Sequence, residues 1–369
     1  MAWIAVVLAV ASALIWWGIL LAPWRPWSTR ERFEVGSSEN DDQAGDVTVL
    51  IPARDKAELL PRTLAALTGS GRAPRIIVID DHSGDDTAAL ARAAGAEVIT
   101  AAPLPAGWNG KLWALEQGRV QAVSRWLLLL DADIELAPGV VPALKAMACH
   151  RKLQLVSLMA WLRMAGFWEQ LLMPAFVFFF KLLYPFKLAN SPSSRLAAAA
   201  GGCILVESQV LAEIGGFGAL RSELIDDCAL ARAVKARGHA TWIGLTHAAT
   251  SQRTYDALAS IFQMVARSAF TQLRNSITLL GLCSLLLLVA CWVPIAGLFF
   301  PMARWAALCA WLAMAASYLP TLRFYQRSPW WCLGMPLIGT LYLSMTWYSA
   351  WRHWSGTGAR WKGRDYQLR

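Results

Sequence analysis

Four uncharged apolar runs constrain this chain more than any other feature: Met1–Trp24, Asn275–Ala303, Trp305–Leu322 and Ser328–Trp351. Each approaches or exceeds the ~18–20 apolar residues needed to cross a bilayer, so transmembrane helices are predicted there. Arg25, Arg30 and Arg32 follow the first run, Arg274 precedes the second, and Arg304 separates the second from the third. Arg323 ends the third and Arg352 the fourth. The first run lacks the positive n-region and small-residue cleavage site of a signal peptide, and reads as an uncleaved anchor. The positive-inside rule then sets the N-terminus outside and the residues after the anchor in the cytoplasm. One anchor plus three C-terminal spans would leave the tail outside. Arg352, Arg360, Lys362, Arg364 and Arg369 prefer the inside, and the two rules conflict.

Composition agrees with a membrane chain. Only 16% of the 369 residues are charged and 56% are hydrophobic, against about 25% charged in soluble proteins. The net charge of +9 comes without aromatic–basic RNA-binding motifs or zinc-finger spacing. Much of it flanks the apolar runs, as at an anionic membrane surface, and no nucleic-acid partner is expected. The seven cysteines form no C-x-x-C pair and the five histidines no H-E-x-x-H. Reduced thiols and no zinc site follow from that spacing.

Between anchor and second run the pattern changes to alternating strands and helices. Residues 25–45 read as a linker, with 34–46 (EVGSSENDDQAGD) polar and acidic. Asp46–Pro52, Arg75–Asp80, Ala96–Thr100 and Trp126–Asp131 read as buried strands, with helices over 57–67, 87–94 and 111–123 between them. Such alternation builds parallel β-α-β units. Leu153–Leu162 alternates as a further strand. There is no internal repeat.

The strand Trp126–Leu130 ends in Asp131-Ala132-Asp133. In open α/β sheets ligands bind at the carboxyl ends of strands. Two close carboxylates there suit a hard divalent ion, Mg²⁺ or Mn²⁺, shared with substrate phosphates. The other reading of an isolated D-x-D is a solvated turn after a core strand. Asp80 and Asp81 end another strand and could accept from uracil N–H or ribose hydroxyls; alternatively Asp81, Ser83 and Asp85 cap the next helix. In Pro103–Leu115, Gly107 and Gly110 permit tight turns, Trp108 offers an apolar plate, and Lys111 is a point charge suited to diphosphate.

The order VLIPARDK, VIDDHSGDDT, GWNGKLWAL, LLLLDAD resembles the membrane-bound, inverting family 2 glycosyltransferases. Gly201-Gly202-Cys203, Ile214-Gly215-Gly216-Phe217 and Ile225-Asp226-Asp227-Cys228 are similar to that family's acceptor-side loop and acidic motif. Trp361-Lys362-Gly363-Arg364-Asp365-Tyr366 resembles the ending of lipid-glycosylating members. LPAGWNGKLWA, LVSLMAWLR, PAFVFFFKLLYPF and AAAAGGCILV look most like the hopanoid-associated branch. The resemblance is close over residues 47–276 and loose beyond. It implies a GT-A-type, Rossmann-like fold that binds a nucleotide-diphospho-sugar. It assigns Asp81, with Asp80 beside it, to the nucleotide, and Asp131 and Asp133 to a divalent ion and the diphosphate. Arg54 and Lys111 join the donor site, and Asp227 becomes the general base with Asp226 beside it. The family's Glu-Asp is Asp226-Asp227 here. Its Q-x-x-R-W element is missing, since Gln263-Met264-Val265-Ala266-Arg267 carries the arginine one place late. Arg267 or Arg274 is left to hold the leaving diphosphate.

The resulting layout is an anchor (1–24), the linker (25–45), a catalytic domain (46–250) with an aromatic interfacial segment (167–188), an amphipathic interfacial helix (251–276), C-terminal transmembrane helices (277–351) and a basic tail (352–369). A buried core helix is the alternative for the aromatic segment. The expected function is transfer of a hexose from a nucleotide sugar, a UDP-sugar, to a lipid hydroxyl, a hopanoid by resemblance, at the cytoplasmic face of an inner membrane. Another lipid or a polysaccharide is the alternative acceptor, and a membrane-bound nucleotidyltransferase is the competing enzyme, but the glycine run it keeps after its first strand is missing. A non-enzymatic scaffold gives no reason for acidic pairs at three separate strand or loop ends.

Overall fold

The computed structural model describes residues 2–36, 46–68, 74–356, 359–361 and 364–366. Residues 37–45 of the linker, and Lys362, Gly363 and Arg369 of the tail, lie outside the described residues. The chain opens with α1 (Ala2–Leu21) and β1 (Arg32–Phe33). Then β2 (Val47–Ala53), α2 (Leu60–Thr68), β3 (Arg75–Asp80), α3 (Thr87–Ala93), β4 (Glu97–Thr100), α4 (Gly110–Gln121) and β5 (Trp126–Leu130) alternate. Next come β6 (Ile134–Leu136), α5 (Val140–His150), β7 (Leu155–Trp161), α6 (Phe167–Leu183) and α7 (Phe186–Ala189). β8 (Cys203–Glu207), α8 (Ser208–Glu213), α9 (Asp226–Ala236) and β9 (Thr241–Ser251) follow. Helices α10 (Leu258–Ala266), α11 (Ala269–Gln272), α12 (Ile277–Cys291), α13 (Val293–Ala296), α14 (Arg304–Phe324) and α15 (Met335–Trp354) precede a hairpin, β10 (Ala359–Trp361) and β11 (Arg364–Tyr366). Two compact units result: Glu31–Arg163 with Phe186–Thr254, and Met1–Arg30 with Met164–Pro185 and Tyr255–Arg369.

In the first of these units, nine strands among the described residues form one sheet, ordered β1-β9-β7-β8-β5-β2-β3-β4, with β6 on β9. β5, β2, β3 and β4 are parallel, as strand–helix alternation requires. β8 lies antiparallel between β5 and β7 and makes the sheet mixed. The leucine run is explained by burial on both faces. Leu127 and Leu129 join one core with Leu112, Leu115 and Leu230, while Trp126, Leu128 and Leu130 join another with Leu64 and Leu144. None of the five residues of β5 is more than 4% exposed, and each buried leucine is worth roughly 1.5–3 kcal/mol. β7 is buried from Leu155 to Ala160 instead of alternating. Its one polar residue there, Ser157, is satisfied by the Ala200 peptide, donating to its oxygen and accepting from its nitrogen. Within the stretch read as linker, β1 pairs in parallel with Leu245–Thr246 of β9.

In the second unit, α1, Ile277–Phe299 and α14 are long and apolar enough to cross a membrane. α15 has 20 residues, with Arg352 and His353 in its last turn, and is not among the three. Contacts fix the helix directions. Trp16 Nε1 donates to Ala290 O at 2.8 Å, and Ala9 packs with Ala303 and Ala307 beside Gly297. Phe178 meets both Trp16 and Tyr318. α1 therefore runs antiparallel to α12 and parallel to α14. α15 is also antiparallel to α12, since Leu280 clusters with Ala350, Trp347 Nε1 donates to Ser284, and Trp292 Nε1 donates to Thr340. The consecutive helices α14 and α15 thus point the same way, and the 3₁₀ turn Pro329–Gly334 between them packs on α14. Much of α6 is buried, including the two charges that bound its apolar stretch. Glu169 accepts from the Ala165, Gly166 and Tyr255 nitrogens, and Lys181 donates to Ser28 O.

Candidate active site

At the carboxyl rim of the parallel strands, two loops are tied together by side chains. Ser83 Oγ accepts from Asp55 N (3.0 Å), Asp85 Oδ2 from Ala57 N (3.0 Å), and Thr87 Oγ1 from Lys56 N (2.7 Å). In return Asp55 Oδ1 accepts from Gly84 N at 2.8 Å. These bonds tie the loop after β2 to the loop after β3, and α2 starts at Leu60. Asp85 also accepts from Thr87 N, so it bonds locally at the start of α3 as well as across the loops. Ser83, instead, ties to the neighbouring loop.

Asp80 and Asp81 sit in this corner, 6% and 5% exposed. Asp80 Oδ1 accepts from Ser83 N at 3.3 Å. Arg54 Nη1 stands 3.6 Å from Asp81 Oδ2, but Nε and Nη1 of Arg54 are buried with no hydrogen-bond partner. A buried guanidinium with open donors is costly, and a ligand oxygen placed there would satisfy it.

β5 delivers Asp131 and Asp133 beside this corner. Asp131 N donates to Gly202 O at 3.0 Å, which docks the loop before β8 against the D-A-D turn. Lys111 Nζ lies 2.6 Å from Asp131 Oδ1, and Lys56 Nζ 2.9 Å from Asp133 Oδ2. Lys111 rises from the first turn of α4, where Asn109 caps the helix by accepting from Lys111 N. Gly107 precedes it at φ +78°, the left-handed region a glycine enters freely. Trp108 packs edge-on to Trp113. Burial opposes the charge of Lys111, yet Asp131 and Asp226 outweigh it and hold its ammonium above the usual lysine range. Burial pushes Asp131 up, with Lys111 opposing.

Asp226 and Asp227 open α9, where the helix dipole favours negative charge. Asp227 Oδ2 accepts from Gly201 N (2.8 Å) and Oδ1 from Cys228 N (2.7 Å). Lys111 Nζ reaches Gly201 O at 3.3 Å. The Gly201 peptide therefore sits between Asp227 and Lys111, and a Cβ there would come within 3.3 Å of Asp227 Oδ2 and 3.4 Å of Lys111 Nζ. A cavity of about 20 Å³ lies beside them, lined by the charged Lys111, Asp226 and Asp227 and by apolar residues that include Leu115, Phe217 and Leu230. That is room for one water. Burial against these apolar walls, then repulsion from Asp226, pushes Asp227 up to about 6.

The rim thus gathers Asp80, Asp81, Arg54, Lys111, Asp131, Asp133, Asp226 and Asp227. Arg267 follows α10 in the other unit. Sequence reasoning missed Lys56. A basic residue just past the end of β2 was its only sequence signal. Among the described residues no cluster of three or more His, Cys, Asp or Glu is arranged to hold a metal. Two carboxylates still suit an ion that shares its coordination with phosphate oxygens.

The model for glycosyl transferase family 21 matches residues 93–369. The chain belongs to glycosyl transferase family 21. Its motif order resembles family 2, and the matching model is that of family 21. This family 21 chain is 32% identical over 119 residues to a 4,4'-diaponeurosporenoate glycosyltransferase of Staphylococcus haemolyticus, covering 32% of each chain. It is 38% identical over 104 residues to an uncharacterised glycosyltransferase of Mycobacterium tuberculosis, covering 28% of this chain and 44% of that one. The matches span about a third and under half of these relatives' lengths. Among solved structures, a mannosyltransferase from Pyrobaculum calidifontis, in complex with GDP-Man and Mn²⁺, is similar at TM-score 0.56 and 18% identity, over 94% of this chain and 99% of that one. The fold is GT-A-type, with a mixed α/β sheet and apolar helices long enough to span.

Proposed function

We propose that this family 21 chain is an inverting hexosyltransferase that moves a sugar from a UDP-sugar to a hydroxyl of a membrane lipid, a hopanoid by resemblance. The observation that carries the reading is the convergence of Asp131, Asp226 and Asp227 around Lys111, on the rim that also holds Asp80, Asp81 and Asp133, in a chain with three membrane-length helices among its described residues. Asp81, Asp80 and the open donors of Arg54 would take the nucleotide. Asp131 and Asp133 would hold Mg²⁺ or Mn²⁺ together with diphosphate oxygens, and the bound ion supplies positive charge to the leaving group. Lys111 adds a fixed charge beside it. The acceptor oxygen attacks the anomeric carbon as the bond to the diphosphate breaks, and its proton passes to Asp227. A single displacement inverts the anomeric centre. The GDP-Man and Mn²⁺ bound by the archaeal mannosyltransferase, and the name of the staphylococcal relative, are in line with this reading.

The same proposal places the chain in an inner membrane with its sheet domain in the cytoplasm. The parallel course of α14 and α15 supports a specific arrangement. Tyr325–Gly334 must climb back before α15 starts, and six of these residues form the 3₁₀ turn. At about 2.0 Å rise in that turn and ~3.3–3.6 Å for each extended step, the connection reaches about 28–30 Å only when fully stretched, no more than the ~30 Å hydrocarbon core itself. α15 is then the returning arm of a re-entrant hairpin. The ends of α1, α14 and α15 and the start of α12 lie on one side, with Arg25, Arg323, Arg352 and Arg274. This arrangement removes the conflict over the tail.

The test incubates membranes carrying the full chain with radiolabelled UDP-sugars and Mn²⁺, then extracts the lipids. Label in the lipid phase with release of UDP is expected. Label left in the aqueous phase for every sugar, or release of sugar 1-phosphate in place of UDP, would reject the reading.

A further inference from the structure

Each carboxylate of the D-A-D turn is matched by its own lysine. Lys111 pairs with Asp131 and Lys56 with Asp133. Lys111 has a place in the proposed chemistry, while Lys56 has none so far. It is nevertheless well positioned. Its backbone nitrogen is fixed on Thr87, and the preceding Asp55 adopts φ +49°. Its side chain and that of Asp133 are 20% and 11% exposed. The backbone that carries the carboxylate is also fixed. Gln252 N donates to the Asp133 carbonyl oxygen at 2.8 Å, and Thr63 Oγ1 to that of Ala132 at 3.1 Å.

The two lysines offset the charge that the D-A-D carboxylates would otherwise offer a bare divalent ion. A like charge a few ångströms away disfavours the ion much more than the loss of one orienting hydrogen bond would. A nucleotide diphosphate changes the balance. Its phosphate oxygens add negative charge and offer the lysine a new partner, which a compact ammonium on a flexible stem can reach.

We propose that Lys56 gates the metal position: it disfavours Mg²⁺ or Mn²⁺ alone, and the ion is retained only together with the nucleotide diphosphate. The gate rests on the nucleotide-sugar reading above. Lys56 acts through Asp133 and is a positioning residue. Release of the nucleoside diphosphate then also frees the ion.

The experiment measures Mn²⁺ binding by electron paramagnetic resonance on the purified full chain, with and without UDP, for wild type, Lys56→Met, Lys56→Gln and Lys56→Arg. Wild type is expected to bind Mn²⁺ weakly alone and at least about tenfold tighter with UDP, the scale on which neighbouring groups tune metal sites. Lys56→Met and Lys56→Gln should bind Mn²⁺ alone about tenfold tighter than wild type and lose most of the dependence on UDP. Lys56→Arg should keep it. Misfolding would weaken Mn²⁺ binding, the opposite sign. If wild type binds Mn²⁺ with UDP, but the uncharged variants bind Mn²⁺ alone no tighter than wild type, the gate is wrong and the donor site stands. If neither wild type nor variants bind Mn²⁺ and UDP together, the donor-site reading falls and the gate with it.

Discussion

Asp226 and Asp227 are chain neighbours in different environments. Asp227 is bonded to Gly201 N and Cys228 N beside apolar walls. Asp226 has no hydrogen-bond partner among the described residues. The bond that holds the loop before β8 falls to Asp227, whose raised pKa also suits a base. A general base contributes ~10²–10⁴-fold, roughly 3–5 kcal/mol of barrier. Asp227→Asn should lose that much kcat while keeping UDP affinity, because asparagine still offers an oxygen to Gly201 N. Asp226→Asn should lose less, and the reverse order would move the base by one residue. The pH profile supplies a second check. With Asp227 pushed up to about 6, the base is protonated below that value, so kcat should fall as pH drops through it. That acid limb should vanish in Asp227→Asn. At the donor side, Asp131→Asn and Asp133→Asn should each abolish metal-dependent UDP binding by titration calorimetry without a loss of fold; unchanged affinity in both would remove the metal assignment.

At the scale of elements, β5 is the member on which the site depends. It is buried on both faces and sets Asp131 and Asp133 at its end. Leu128 is 0% exposed and touches the core that holds α2 and α5. Leu128→Ala should cost about 2–5 kcal/mol by cavity formation, read as a lower denaturation midpoint of the sheet domain. A change below 0.5 kcal/mol would mean that the strand is not packed as described. The antiparallel entry of β8 matters equally. It brings Gly201 and Gly202 to the D-A-D turn, a juxtaposition no parallel β-α-β unit supplies.

For the molecule as a whole, the sharpest consequence is the course of the chain through the membrane. In a background without native cysteines, Gly36→Cys and Ser355→Cys should be shielded together from an impermeant thiol reagent in intact cells. Met302→Cys, 58% exposed in the described structure, should label. Labelling of Ser355→Cys alongside Met302→Cys would make α15 a full crossing and restore the conflict between span count and basic tail.

Much of this was legible in local patterns. Helix and strand periodicity, membrane-length runs and acidic pairs at strand ends depend on residues a few positions apart, and the strands at 75–80, 97–100 and 126–130 follow directly. The order of motifs likewise carried the GT-A-type fold. What the sequence could not determine involves partners far apart in the chain. Lys56 meets Asp133 across 77 residues, Asp227 meets Gly201 across 26, and Trp16 meets Ala290 across 274. Those pairings depend on sheet order and helix direction, which depend in turn on which buried faces fit together. A short apolar run has the same composition whether it crosses a membrane or turns back within it. The tertiary contacts of α15 with α12 give its direction, because packing, unlike hydropathy, has one.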